Sequence, residues 1–129
     1  MAKLCRKFSI GELTNIDIPN EFKGIMPSTQ WKKKRMGEKW HLGETFNTVI
    51  GQGFTLSTPL QLSVMTARIA SGKKITPSIL RNRNKIFDKM NISEKDLSFI
   101  RESMFAVVNE YKGTAFSSKL NSKHTMAGK

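Results

Sequence analysis

The sequence predicts a chain of the α/β (α+β) class, in which helices alternate with short strands, and three observations predict it. A strongly capped helix begins at Thr58, a second apolar-periodic helix begins at Ser93, and brief apolar runs flanked by proline or glycine fall between and around them. The 129 residues suit one ordinary domain or part of a larger one, and could bury about 65% of the unfolded surface.

Residues 1–10 fit the end of a helix, with Leu4, Phe8 and Ile10 on its apolar side and Gly11 as its stop. Ile16-Asp17-Ile18 alternates apolar and polar and then meets Pro19, which suits an edge strand or extended turn. Gly24 to Pro27 is a connector. Ser28 caps a short basic helix running through Trp31 to Arg35. Glycines at 37, 43, 51 and 53 predict a long packed loop over 37–53. Thr58-Pro59-Leu60-Gln61 then supplies a capping hydroxyl, a proline at the first helical position and a glutamine that reaches back to the cap. Leu60, Leu62, Val64, Met65, Ala67 and Ile69 give this helix a wide apolar face, and Gly72 ends it. Ile75 to Leu80 reads as a strand around Pro77. The second helix starts at Ser93 with Asp96 in the capping-box position, repeats Leu97, Ile100, Met104 and Val107/Val108, and stops near Asn109. Gly113 to Lys123 is polar loop or helical turn, and Thr125 to Lys129 reads as a strand that is cut off.

Composition excludes several classes. With 38% hydrophobic and 25% charged residues the chain is neither disordered nor collagenous. No apolar run approaches the roughly 20 residues of a membrane helix, and the N-terminus has no apolar signal core. Cys5 is a lone cysteine, so no internal disulfide or multi-cysteine metal site is available. The net charge is +12, with 9 basic and 5 acidic side chains in residues 1–64 and 13 and 5 in 65–129. Lys32, Lys33, Lys34, Arg35 and Lys39 form one cluster, and Lys73, Lys74, Arg81, Arg83, Lys85 and Lys89 a second. They suggest a module that binds nucleic acid or an anionic surface, with a solvated Lys-rich face as the bland alternative. Stacking aromatics are sparse beside the second cluster, where only Phe87 falls, so no nucleic-acid partner is expected.

The chemistry-bearing residues are few. Cys5, His41 and His124 are isolated in sequence and lack metal-ligand spacing, so no metal or other cofactor is expected. There is no G-x-S-x-G elbow. Gly51-Gln52-Gly53 is only a fragment of a phosphate-binding glycine pattern, and Ala67 stands where a phosphate loop ending at Gly72-Lys73 needs glycine. Ser71-Gly72-Lys73-Lys74 matches S-x-x-K formally. That chemistry needs serine and lysine one turn apart at the start of a helix, whereas Ser71 falls at a helix end.

Several segments then occur in a telling order. Phe8-Ser-Ile-Gly11 and Ile16-Asp-Ile-Pro-Asn-Glu21 precede Trp31-Lys-Lys-Lys-Arg35, Trp40-His-Leu-Gly-Glu-Thr45, Ile50-Gly-Gln-Gly-Phe54 and Thr58-Pro-Leu-Gln-Leu62. Val107-Val-Asn-Glu110 and Gly113-Thr-Ala-Phe116 follow. Over nearly the whole chain this resembles the transpeptidase domain of class B penicillin-binding proteins, closest to the elongation-type penicillin-binding protein 2 group. The resemblance implies a serine β-lactamase/transpeptidase-like fold, with helices packed on an antiparallel sheet, here incomplete. It implies a serine that forms an acyl-enzyme with a peptidoglycan stem peptide, is resolved by an amine of a neighbouring strand, and is acylated by β-lactams. Three motifs carry that chemistry: S-x-x-K, S-x-N and K-[T/S]-G.

Measured against that pattern, residues 1–129 run from after the second motif to the lysine of the third. Met126-Ala-Gly-Lys129 matches the approach to K-T-G, and no S-x-N occurs. Lys129 is therefore the one catalytic residue carried over, as the cation that orients the stem peptide. Gly51, Gln52, Gly53 and Thr58 are structural residues near the site. The expectation is a fragment of a transpeptidase, such as the product of a split or decayed gene, inactive alone. It would self-associate or need a complementing polypeptide, because its apolar faces and strand edges lack their neighbours. A non-catalytic partner of other wall-synthesis proteins is a further reading. The family is anchored in the inner membrane with this domain in the periplasm, while the chain by itself, without signal or span, is expected in the cytoplasm.

Overall fold

The structure, a computed structural model, describes residues 1–81, 85–120 and 124–129. These form α1 (Ala2–Lys7), α2 (Thr29–Met36), α3 (Leu42–Val49), α4 (Pro59–Ser71), α5 (Glu94–Asn109) and a 3-10 turn (Phe116–Ser118). None of the helices among the described residues is long and apolar enough to cross a membrane.

The helix-start chemistry operates as the sequence predicts at two of three caps. Ser28 Oγ accepts the Trp31 N–H at 3.1 Å, and Gly37 closes α2 in the left-handed conformation. At α4, Thr58 Oγ1 accepts the Gln61 N–H (3.1 Å) while Gln61 Oε1 accepts the Thr58 N–H (2.9 Å), and Gly72 ends the helix at φ 67°. Helix α5 starts after Ser93, but the Ser93 side chain makes no capping bond. Glu94 and Asp96 lie in the first turn instead, where their charge favours the helix dipole.

Three sequence expectations are corrected. First, α1 ends at Lys7 rather than at Gly11, because the chain turns at Ser9, a buried residue at φ 68°. Leu4 is exposed, and Gly11 serves a different purpose: a side chain there would strike the Cβ of Met26. Second, 37–53 is not all loop, since it contains α3. Gly43 falls in the first turn of α3, where its helix penalty is easily met by the Glu44 carboxylate accepting the His41 N–H at 2.6 Å.

Third, no sheet forms among the described residues. The only β pairings there are isolated antiparallel bridges, Ile25 with Leu56 and Lys73 with Lys89. The predicted strands at 16–18 and 75–80 do meet, but through a side chain. Asp17 accepts the Ile79 N–H (2.8 Å) on Oδ1 and the Ser78 hydroxyl (2.7 Å) on Oδ2. A carboxylate thus takes the Ile79 N–H that a ladder would use, and Pro77 has none to give. Likewise 124–129 lies along α5: Gly128 N–H donates to the Met104 carbonyl (2.9 Å) and Asn109 Nδ2 to the Met126 carbonyl (2.7 Å).

The hydrophobic core is thin. Ile10, Met26, Val64, Met90, Leu97 and Val108 are buried, each worth roughly 1.5–3 kcal/mol. Most of the predicted α4 face is only half-buried, and Leu62 is exposed. The side chain that α4 buries completely is Gln61, whose Nε2 donates to the carbonyls of Glu12 (2.7 Å) and Lys23 (2.8 Å). Helix α5 packs on α4 through Leu97 beneath Gly72 and through Arg101 Nε donating to the Ile69 carbonyl at 2.8 Å. Trp31 lies against Phe54 with ring centres 5.4 Å apart, and Trp40 Nε1 donates to Thr45 Oγ1 at 2.8 Å, which joins α2, α3 and the loop after it.

Gln61→Ala should lower the unfolding free energy by about 3 kcal/mol in urea titration, because buried carbonyls and an N–H lose their partner. Gln61→Glu should fail to restore it, having no donor for the two carbonyls. Asp17 is held at a pKa of about 2, below its usual 3.8, first by the Ile79 N–H and then by the Ser78 hydroxyl. Its contribution is complete above pH 3.8 and is lost as pH falls towards 2. Across that window the urea midpoint of Asp17→Asn should fall less than that of the parent chain.

Candidate functional site

The end of the chain, α3 and α4 enclose a cleft of about 350 Å³, lined by residues including Thr48, Gly51, Thr55, Ser57, Met65 and Lys129. Each is placed by a local device. Gly51 adopts φ 78° and donates its N–H to the Thr48 carbonyl at 3.1 Å, so the chain reverses directly after α3. A side chain at Gly51 would meet nothing within 4 Å, so glycine is required there for its backbone conformation and not for space. Gln52 N–H reaches the Asn47 carbonyl (2.8 Å), and Gly53, at φ 74°, passes beside the same residue. Thr58 stands one residue beyond Ser57, engaged in the α4 cap. Lys129 is exposed at the cleft, delivered there by the clamp of α5 on Met126 and Gly128.

The structure therefore brings Lys129 and Gly51 to one cleft, whereas Gln52, Gly53 and Thr58 are not among its lining residues. Sequence reasoning missed Thr55 and Ser57. The Thr55 hydroxyl is buried with no hydrogen-bond partner among the described residues. Its only signal in the sequence is its position between the glycine turn and the α4 cap.

A buried ion pair anchors the α3 side of this cleft. Lys32 is only 3% exposed, and its Nζ lies 2.6 Å from Glu44 Oε1 and 3.2 Å from Glu38 Oε2. Hydrogen bonding to Glu44 raises the Lys32 pKa against the opposing effect of burial. Glu44 is lowered first by the His41 N–H and then by Lys32. This corrects the first basic cluster: Lys32 is a structural cation turned inward, leaving Lys33, Lys34, Arg35 and Lys39 on the surface. In the second cluster, Lys73 and Lys89 face each other across a backbone bridge and Lys85 Nζ donates to the Thr76 carbonyl at 3.3 Å. Arg83 lies outside the described residues, as does Lys123.

The remaining candidates are scattered. Cys5 is on α1 at the cleft, His41 precedes α3, and His124 begins the final segment. The Ser71 hydroxyl donates to the Ala67 carbonyl at 2.7 Å and accepts the Lys73 N–H at 3.2 Å, at the C-terminal end of α4. Its neighbour Gly72 turns the chain away from the helix, so the S-x-x-K spacing does not produce the helical geometry of that motif.

Residues 1–129 match the family described as penicillin binding protein transpeptidase domain. The peptidoglycan D,D-transpeptidase MrdA of Acinetobacter baumannii is 33% identical, over 100% of this chain and 20% of the relative. In a solved complex of PBP2 with MreC from Helicobacter pylori, a chain 41% identical superposes with a TM-score of 0.90, covering 98% of this chain and 24% of that one. Pseudomonas aeruginosa PBP2, solved with WCK 5153, is 27% identical with a TM-score of 0.83, covering 96% and 30%. The chain belongs to the penicillin-binding protein transpeptidase family. Within it, the sequence is of the PBP2 type, spans about a fifth of the length of the curated relatives it matches, and represents part of the domain.

Lys32→Ala should lower the thermal midpoint by several degrees while Lys33→Ala leaves it unchanged, because only the former strands a carboxylate. Glu44 contributes fully above its usual 4.5 and loses that contribution as pH falls below it. Glu44→Gln should therefore flatten the acid side of the stability profile measured by thermal melts.

Proposed function

We propose that this chain is part of a peptidoglycan D,D-transpeptidase of the elongation type, acting on stem peptides outside the inner membrane. In that reaction a serine hydroxyl attacks the carbonyl of the penultimate D-alanine, the peptide C–N bond breaks, and D-alanine leaves with the proton. An amine of a neighbouring stem then attacks the ester and releases the serine. β-Lactams acylate the same oxygen.

The observation that carries this reading is the delivery of Lys129 to the cleft behind the Gly51 turn, in a chain matched to the family from end to end. An exposed ammonium at that point can receive a substrate carboxylate and strengthen the field around a developing oxyanion. Gly51 shares the cleft with it, and Gln52, Gly53 and Thr58 keep the structural role of shaping the turn and the α4 cap beside it. The nucleophile has to come from elsewhere, since no S-x-N occurs and Ser71 is tied to its own helix. Two features support a neighbouring segment: the Thr55 hydroxyl, without a partner among the described residues, and the stripe of Leu42, Phe46, Val49 and Ile50, each more than half exposed on and just after α3. A complementing segment that covers them would also offer 124–129 a strand to pair with.

Fluorescent penicillin should leave the 129-residue chain unlabelled. Mixed with a polypeptide of the same family carrying S-x-x-K and S-x-N, it should label that partner, and Lys129→Ala should slow labelling about a hundredfold. A covalent label on the chain itself would overturn the reading. On gel filtration the chain alone should elute as a self-associated species, and a monomer that melts cooperatively would contradict the exposed-face argument.

A further inference from the structure

A second cavity, of about 370 Å³, shares no lining residue with the Lys129 cleft. It lies where the end of α1, the last turns of α4 and the Lys73–Lys89 crossing converge. Arg6, Lys7, Arg68, Lys74, Met90 and Asn91 line it, so four of its six walls are cationic and none is a carboxylate.

Arg68 is the fixed element. It is half-buried, with Nε donating to the Ile75 carbonyl (3.1 Å) and Nη1 to the Lys7 carbonyl (2.7 Å). Those bonds lock the guanidinium plane and leave Nη2 unengaged among the described residues. Burial lowers its pKa with no carboxylate to offset it, the signature of a cation held without a counterion. Lys74 is exposed, and Lys7 reaches the Asn91 carbonyl with Nζ at 3.0 Å. Arg6 does have an acidic partner, Glu12 at 3.3 Å, but both are half-exposed and Glu12 stands outside the cavity. The C-terminal ends of α1 and α4 moderate this charge as dipoles, without supplying a full negative charge.

We propose that this cavity binds a phosphate-class oxyanion, with Arg68 as the oriented fork, Lys74 as the mobile cation, and Lys7 and Arg6 at the rim. Arginine held in plane suits the paired oxygens of a tetrahedral anion. The volume exceeds what inorganic phosphate fills, and Met90 gives an apolar wall, so the ligand is a phosphate ester, either soluble or a phospholipid headgroup. This reading is independent of the transpeptidase assignment.

The test is calorimetric titration of the 129-residue chain with inorganic phosphate and with glycerol 3-phosphate at constant ionic strength. It is run beside sedimentation with phosphatidylglycerol or phosphatidylcholine vesicles. Saturable millimolar binding of the soluble phosphates is expected, with the ester the tighter of the two. Lys74→Gln, at an exposed position that leaves the fold intact, should weaken it about tenfold. Lys39→Gln should leave it unchanged. Capture by phosphatidylglycerol vesicles alone, lost in Lys74→Gln, would identify the headgroup as the source. Absence of saturable binding to every probe, or equal weakening by Lys39→Gln, would overturn the proposal.

Discussion

Gln61 is the constraint from which the rest of the architecture follows. It is wholly buried, yet it is neither apolar nor charged, and every one of its polar atoms has a designated partner: the Thr58 N–H, and the carbonyls of Glu12 and Lys23. One side chain thereby starts α4 and fixes two remote loop segments against that start. The same crossing forces Gly24, because a side chain there would strike the Leu56 carbonyl and crowd Gln61 Oε1 at 3.0 Å. A core with so few buried aliphatics cannot set register by packing alone, so satisfied polar contacts set it instead.

Much of this was readable from residue order. The Ser28 cap, the Thr58–Gln61 box, the glycine stop at 72, the end of α5 at Asn109 and the order of family segments all rest on local rules, and local rules survive without knowledge of the tertiary partners. What was not readable is long-range. The helix inside 37–53 was hidden because glycines used for left-handed turns at its borders look like loop composition. Lys32 was hidden inside a basic run, and only the approach of Glu44 shows that it points inward. Alternation at 16–18 and an apolar run around Pro77 at 75–80 report a preference for extended backbone but say nothing of whether a ladder is present.

The candidate site divides in the same way. Lys129 and the glycine turn were legible as motif residues, and their convergence on one cleft required the α5 clamp that places the final segment. Thr55 carried no motif. Its hydroxyl matters because burying it without a partner is unfavourable unless a neighbour or ligand completes the cleft.

Both indoles of the chain, Trp31 against Phe54 and Trp40 bonded to Thr45, sit in the corner made by α2, α3 and the following loop. Indole emission is therefore a local gauge, reporting the Lys32–Glu44 side of the molecule and nothing of α5. Far-ultraviolet dichroism, by contrast, is dominated by α4 and α5, the two longest helices among the described residues. Any loosening of one half before the other would separate the two optical signals, giving this small chain a built-in means of resolving its own halves.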